Sequence, residues 1–180
     1  MIRGSRAALR ARHESDVPIL QAELFDDVPT RSAADSRPWQ PVSPGAGDSP
    51  YAVRARSPEA AFFSVVELAS GELAGEAVLW GVDQHNRLAH LGLAIRPGYR
   101  GRGLAKEAVT LLCHYGFTVR GLHRLQLETL AENLPMLGAA TAAGFVREGL
   151  LRRNAWVYGS FRDEVVLGLL AEEWTDPLVG

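Results

Sequence analysis

The sequence has a single cysteine, Cys113, and a single lysine, Lys106, among 180 residues. A lone cysteine excludes an intrachain disulfide framework and a thiolate-based zinc site. The 5 histidines include no pair at a metal-ligand spacing, so no metal is expected. A formal net charge of -2 is too near neutral for a strongly basic nucleic-acid binder. No apolar run approaches the roughly 20 residues that cross a bilayer. The first residues carry Arg3, Arg6, Arg10 and Arg12 and lack the continuous apolar stretch of a signal peptide. A cytoplasmic protein without a membrane partner is therefore expected. No Gly-x-Ser-x-Gly element suggests hydrolysis through serine, and no repeat recurs at a solenoid period.

What is present fits one domain over residues 1–180. Hydrophobic residues make up 47% and charged residues 22%, the balance of a globular chain with a real core. All basic residues but Lys106 are arginines, so an arginine at any one site says little by itself. Six of the 10 prolines fall between Pro29 and Pro58, with Gly45, Gly47 and several serines. This stretch resists regular structure. It reads equally as a plain surface loop and as a substrate-facing lid, with Trp39 and Tyr51 as binding aromatics. Its charges are balanced: Asp26, Asp27, Asp35 and Asp48 oppose Arg31, Arg37, Arg54 and Arg56. A dense acidic cleft for a polycation is not evident.

The periodicities give a mixed α/β (α+β) order. A short strand at 9–12 precedes a helix carrying Val17, Ile19, Leu20 and Leu24, with capping groups at Glu14, Ser15 and Asp16. After the proline-rich loop, strands are expected at 62–68, 73–82 and 88–95. Leu104, Ala108, Leu111, Leu112, Tyr115 and Val119 recur at helical spacing, predicting a helix over 103–119. A strand at 122–129 follows. Asn133 caps a helix to Ala143 that Gly144 stops. Two closing strands, 145–157 and 161–169, flank Tyr158-Gly159-Ser160. The sum is a mixed, mostly antiparallel sheet of about six to seven strands with helices on both faces.

The most informative segment joins a strand to a helix: Arg96-Pro97-Gly98-Tyr99-Arg100-Gly101-Arg102-Gly103-Leu104-Ala105. The helix start offers unpaired N–H groups and a positive dipole end, a ready cradle for phosphate oxygens. Arg100 and Arg102 add charge-assisted donors. The glycine spacing fails a dinucleotide fingerprint, because Lys106 stands where its last glycine belongs, and it fails a P-loop, because Leu104-Ala105 replace Lys-Ser/Thr.

Arg100-Gly101-Arg102-Gly103-Leu104-Ala105 resembles the (Arg/Gln)-x-x-Gly-x-(Gly/Ala) pyrophosphate signature of the GNAT acyl-CoA-dependent N-acetyltransferases. The preceding strand, the helix, Glu132-Asn133, Ala143-Gly144-Phe145 and Glu148-Gly149 follow in that family's order. Arg152-Arg153 and Asp163-Glu164-Val165 resemble its RimJ/RimL-like branch of ribosomal-protein N-terminal acetyltransferases. The resemblance implies the GNAT fold, acetyl-CoA as co-substrate, and transfer of acetyl to a primary amine, either a small molecule or a protein N-terminus. It also implies a homodimer. The backbone of Leu93, Ala94 and Ile95 would bind the pantetheine arm, and the amides of Gly101, Arg102, Gly103, Leu104 and Ala105 the pyrophosphate. Asn133 would reach the pantetheine or the thioester, or simply cap its helix. The positions where relatives carry a tyrosine or serine proton donor are Ala140 and Met136. His90 stands where this branch often has glutamate, and it is the candidate base. Alternation puts Leu88, His90, Gly92 and Ala94 on one face, with Leu91, Leu93 and Ile95 on the core face.

Other readings are blander. Glu76 is either a holder of the base or substrate, or a solvated strand residue. Glu128 and Asp163 should pair with arginines, His114 should be a surface residue, and Cys113 should be buried. Trp156 and Tyr158 are acceptor walls or packing residues. The missing donors also fit a non-catalytic acyl-CoA-binding module, and the turn alone fits a plain phosphate-binding domain.

Overall fold

The computed structural model describes residues 1–34, 37–43 and 47–178; Asp35, Pro44 and Gly45 of the proline-rich segment fall outside these. The described chain builds one eight-stranded sheet. In chain order the strands are β1 Ile2–Arg3, β2 Ala7–Ala11, β3 Ala61–Glu67, β4 Leu73–Asp83, β5 Leu88–Ile95, β6 Arg124–Leu130, β7 Val146–Val157 and β8 Ser160–Leu170. They lie in the order β1-β2-β3-β4-β5-β6-β8-β7. Every neighbouring pair is antiparallel except β5–β6, which is parallel. The strand beyond the expected count is β1, whose two residues are too short for a periodic signal.

One face of the sheet carries α3, Leu104–His114, and α4, Leu134–Ala142. Ala77, Leu79, Ala89, Leu91, Leu125 and Leu127 meet Leu104, Ala108, Leu111 and Leu112 there, all nearly solvent-free. Burying each leucine contributes about 1.5–3 kcal/mol. Cys113 is completely buried in this layer; burial pushes its thiol up to about 12, far from a reactive thiolate.

The opposite face is covered by α1, Val17–Leu20, a π-helical turn Gln21–Phe25, and α2, Val28–Ala34. Here the expectation for the proline-rich segment is corrected. Its first residues form α2, because Pro29 sits in the first turn, where its missing N–H is not needed. Arg31 N–H bonds the Asp27 carbonyl (2.8 Å) and the Thr30 hydroxyl bonds the Asp27 carboxylate (2.7 Å). Further along the segment, Trp39, Val42 and Tyr51 join a small second core with Val17, Leu20, Leu24, Phe25 and Leu73. Trp39 Nε1 donates to the Phe25 carbonyl (2.9 Å), and the Gln21 side chain holds the Val42 carbonyl (2.8 Å) and the Ser49 hydroxyl (3.1 Å). Tyr51 is only 1% exposed. It is a core residue rather than a pocket wall, and burial raises its phenol above the ordinary value. β7 lies beside α2, so the far end of the sheet comes back toward this layer.

Candidate active site

The site is made by a sheet that opens. β5 and β6 are paired only through Leu88↔Arg124, Ala89↔Leu125 and His90↔Gln126. Beyond His90, β5 stays paired with β4 and β6 with β8, but the two strands no longer pair with each other. Antiparallel pairing alternates the direction of successive backbone groups. Arg96 N–H bonds the Ala74 carbonyl (2.9 Å), so the even-numbered residues of β5 face β4. The N–H and C=O groups of Leu93 and Ile95 therefore face the opening. Ala94 does not share that orientation: it stands opposite Glu76, with its backbone groups toward β4. Of the three backbone positions expected to contact a ligand, two point into the gap. The Ile95 carbonyl already accepts from Arg100 Nε (3.0 Å).

The glycine-arginine turn closes one end of the gap. Pro97–Tyr99 form a 3-10 turn. Gly101 (φ 75°) and Gly103 (φ 78°, ψ 2°) are left-handed, a conformation costing side-chain-bearing residues about 1–2 kcal/mol. Gly103 is the N-cap of α3 and supplies no side-chain cap. The N–H groups of the first turn, Leu104, Ala105 and Lys106, therefore point outward with the helix dipole behind them. The Leu104 side chain is in the core, so only its backbone is available.

The arginines of the turn have different tasks. Arg102 donates to the Gly98 carbonyl (2.7 Å) and to Glu67 (3.1 Å), and stacks 5.0 Å over Tyr99. Arg96 lies on the same ring, also at 5.0 Å, and pairs with Glu23 and the Leu73 carbonyl. Both guanidiniums brace the loop from within. The start of α3 is fixed separately by Glu107. Its carboxylate accepts from the backbone N–H groups of Ser5, of Arg6 (2.7 Å) and of Ala7 (2.7 Å), and from the Ser5 hydroxyl (2.8 Å). Desolvation pushes this carboxyl up, but those bonds outweigh it and the net shift is downward.

On the acceptor face, β3, β4 and β5 present three cross-strand rows: Trp80–His90, Phe62–Val78–Gly92 and Ser64–Glu76–Ala94. His90 lies on this face, as alternation required. Its ring stacks on Trp80, 4.5 Å between centroids and 23° between planes. Trp80 is half-exposed. A bulge between Trp80 and Asp83 ends the regular pairing beside this stack, as bulges next to sites re-aim side chains. Gly92 leaves room for the row above it, since a Cβ there would stand 2.8 Å from Val78 Cγ1. His90 is thus at the last rung before the opening, between the gap and the acceptor face.

Glu76 is neither free nor solvated. It forms an ion pair with Arg12 at 2.8 Å, and both side chains are largely buried. Asp16 is held by Arg10 (2.6 and 2.9 Å), the Ser64 hydroxyl (2.7 Å) and the His13 N–H (2.9 Å). Desolvation raises this carboxyl, but Arg10 and the other donors prevail and carry it down to about 2. The Arg12–Glu76 pair could not be read from the sequence, because the two lie 64 residues apart.

Asn133 does cap α4. Its Oδ1 accepts from the Met136 N–H (3.3 Å) and its Nδ2 donates to Thr129 Oγ1 (2.9 Å). Ala140 is buried and Met136 packs on the main core, so apolar groups fill both donor positions. Three secondary expectations are corrected. Glu128 accepts from Gln126 Nε2 (3.0 Å) rather than from an arginine side chain. Asp163 accepts the backbone N–H of Arg153 (2.7 Å), inside a bulge of β7. His114 is not a surface residue: it is mostly buried and bonds Asp176 at 2.8 Å. Trp156 and Tyr158 are exposed near the β7–β8 turn, where Trp156 meets Phe161 edge-on at 4.9 Å. Among the described residues no cluster of His, Cys, Asp and Glu could hold a metal.

Known proteins resemble this chain in sequence and fold. An uncharacterized N-acetyltransferase of Bacillus licheniformis is 32% identical over 112 residues, which is 62% of this chain and 63% of that protein. Spermidine N(1)-acetyltransferase of Escherichia coli is 33% identical over 104 residues, 58% of this chain and 56% of that one. The chain thus matches about six-tenths of the length of these relatives. A spermidine N-acetyltransferase of Vibrio cholerae, solved in complex with CoA and spermine, shares the fold with a TM-score of 0.83. That likeness covers 94% of this chain and 98% of the other at 24% identity. Residues 6–146 match the family model of the acetyltransferase (GNAT) domain, and the chain therefore belongs to the GNAT acetyltransferase family.

Proposed function

We propose that the protein transfers an acetyl group from acetyl-CoA to a primary amine by direct attack. The observation that carries this reading is the opening of β5 from β6 immediately after His90, in line with a left-handed glycine turn at the N-terminus of α3. The pantetheine arm lies in the opening, bonded by the Leu93 and Ile95 backbone in the manner of an added strand. The pyrophosphate lies on the amides of Gly101 to Ala105, and Arg100 supplies the nearby positive charge. Asn133 holds the α4 end of the site through its cap and Thr129.

The amine attacks as the neutral species. Its nitrogen bonds the thioester carbon, and His90 takes the proton that nitrogen loses. The tetrahedral oxyanion is stabilised by a backbone N–H facing the gap on β5. The C–S bond then breaks and CoA leaves as thiolate. With a reference thiol pKa of about 8.5, water can protonate it, and no side-chain acid is needed at Met136 or Ala140.

The acceptor is a small amine or a protein N-terminus. The RimJ/RimL-like pattern at Arg152-Arg153 and Asp163-Glu164-Val165 supports the N-terminal reading. The exposed Trp156, Tyr158 and Phe161 support pairing of two copies through the β7–β8 turn. The absence among the described helices of any long and apolar enough to cross a membrane accords with a cytoplasmic setting.

The test is thiol release from acetyl-CoA over a panel of primary amines, with calorimetry of acetyl-CoA binding alongside. Turnover that falls in His90→Gln while acetyl-CoA affinity holds supports the mechanism. Binding without release for any amine would favour an acyl-CoA-binding module. Unchanged pH–rate profiles in His90→Gln would remove His90 from the reaction.

A further inference from the structure

The acceptor face carries carboxylates, but its own arginines hold them. Glu76 is paired with Arg12, Asp16 with Arg10, and Glu23 with Arg96. Aromatic faces are covered in the same way. Arg12 lies 5.6 Å from the Tyr51 centroid, Arg31 5.3 Å from Phe25, and Arg54 5.1 Å from Phe62. A carboxylate or an aromatic face is what recognises an ammonium group. On this face these carboxylates and three of the aromatic rings are engaged by guanidinium groups, while Trp80 stacks on His90.

Arg54 stands apart from the carboxylate-paired Arg10, Arg12 and Arg96. Its remaining contact is a long hydrogen bond to the Ser49 carbonyl (3.3 Å), and among the described residues no carboxylate pairs with it. The Phe62 ring fixes where its charge sits. Phe62 heads the row Phe62–Val78–Gly92, and His90 is in the next row on β5. Two strand spacings of about 4.8 Å and one step of two residues along the strand put Phe62 and His90 about 12 Å apart, backbone to backbone. Between them lie Val78, the side-chain-free Gly92 and the edge of the Trp80 indole, whose Nε1 would stand 3.8 Å from a Cβ at Gly92. A cation therefore stands across a half-buried, mostly apolar strip from the group that takes the amine proton.

We propose that Arg54 recognises an anion on the acceptor, so that the preferred substrate is a primary amine carrying a carboxylate several bonds away rather than a polyamine. This rests on the amine-acetylation reading above and departs from the spermidine named for two of the relatives. Arg12 assists indirectly by neutralising Glu76, which would otherwise hold a second ammonium.

The test compares three series of equal chain length: ω-amino carboxylates, diamines and plain alkylamines. In the wild type, kcat/KM for the best amino carboxylate should exceed that of the matching diamine by roughly tenfold. Arg54→Gln should collapse the ratio of amino carboxylate to alkylamine toward one, and Arg54→Glu should turn the preference toward diamines. Raising the salt concentration should erode the wild-type preference. A wild-type preference for diamines, or a ratio untouched in Arg54→Gln, overturns the proposal. If no amine is turned over, the acetylation reading fails by itself. Calorimetry of the same series on the CoA complex then decides the Arg54 site: weaker amino carboxylate binding in Arg54→Gln supports it, and equal binding overturns it.

Discussion

Asp16 ties the acceptor-side helix to the sheet, and Asp16→Asn should show this as a pH-dependent loss of stability. The carboxyl is 3% exposed and joins Arg10 on β2, Ser64 on β3 and the turn entering α1. Its folded pKa is lowered to about 2 from an ordinary 3.8. Each pKa unit corresponds to about 1.4 kcal/mol, so the ionised form contributes about 2–3 kcal/mol to folding. A depressed carboxyl stabilises above its unfolded pKa, and that stability is lost as pH falls through the folded value. The contribution is therefore complete above about pH 5 and declines between about pH 4 and 2. Asparagine keeps the shape and removes the charge. At pH 7 it should lower Tm by about 5–10 °C, at about 2–4 °C per kcal/mol for a chain of this size. Thermal melts from pH 7 down to about 2.5 should show the gap between wild type and variant holding to about pH 5 and narrowing below it. A gap that stays constant over this range would refute the reasoning, because the cost would then be one of packing and not of ionisation.

Two further outcomes follow from the turn and its support. Gly103→Val should destabilise the fold by about 1–2 kcal/mol through its left-handed conformation. It should also weaken acetyl-CoA binding about tenfold or more by obstructing backbone approach, read by calorimetry at a temperature where the variant is folded. Glu107→Ala removes the acceptor for three backbone N–H groups and the Ser5 hydroxyl. It should cost about 2–3 kcal/mol in a urea titration. The Glu107 carboxyl is lowered, so its share of stability should be present at neutral pH and fade as pH falls below about 4.5.

Much of this site was legible because its signals are local. β5 has the expected bounds, Leu88 to Ile95, and half-open and buried residues alternate over its first half, Leu88 to Leu91. The left-handed turn at Gly101 and Gly103 was legible because those conformations select glycine. The Asn133 cap shows in the sequence for the same reason, as side-chain and backbone partners stand three residues apart. α2 was hidden because proline in a first helical turn looks like a breaker in composition. Tyr51 was misread because a loop aromatic is exposed only if the loop does not fold back, and here Gln21, Ser49 and Trp39 bring it back. The engagement of Glu76 and Glu23 was out of reach, because their arginines are far away in sequence. Arg96 and Glu23 are 73 residues apart and meet only after three strands and a helix have found their places.

The central claim is that the pantetheine arm of acetyl-CoA lies along β5 where β6 has left it. Amide hydrogen exchange at single residues, with and without saturating acetyl-CoA, tests this most directly. The Leu93 and Ile95 amides face the gap and should exchange readily in the free protein and slow on binding. The Ala94 amide, already turned toward β4, should change little. Leu93 and Ile95 exchanging equally fast in both states, with acetyl-CoA demonstrably bound, would contradict the account.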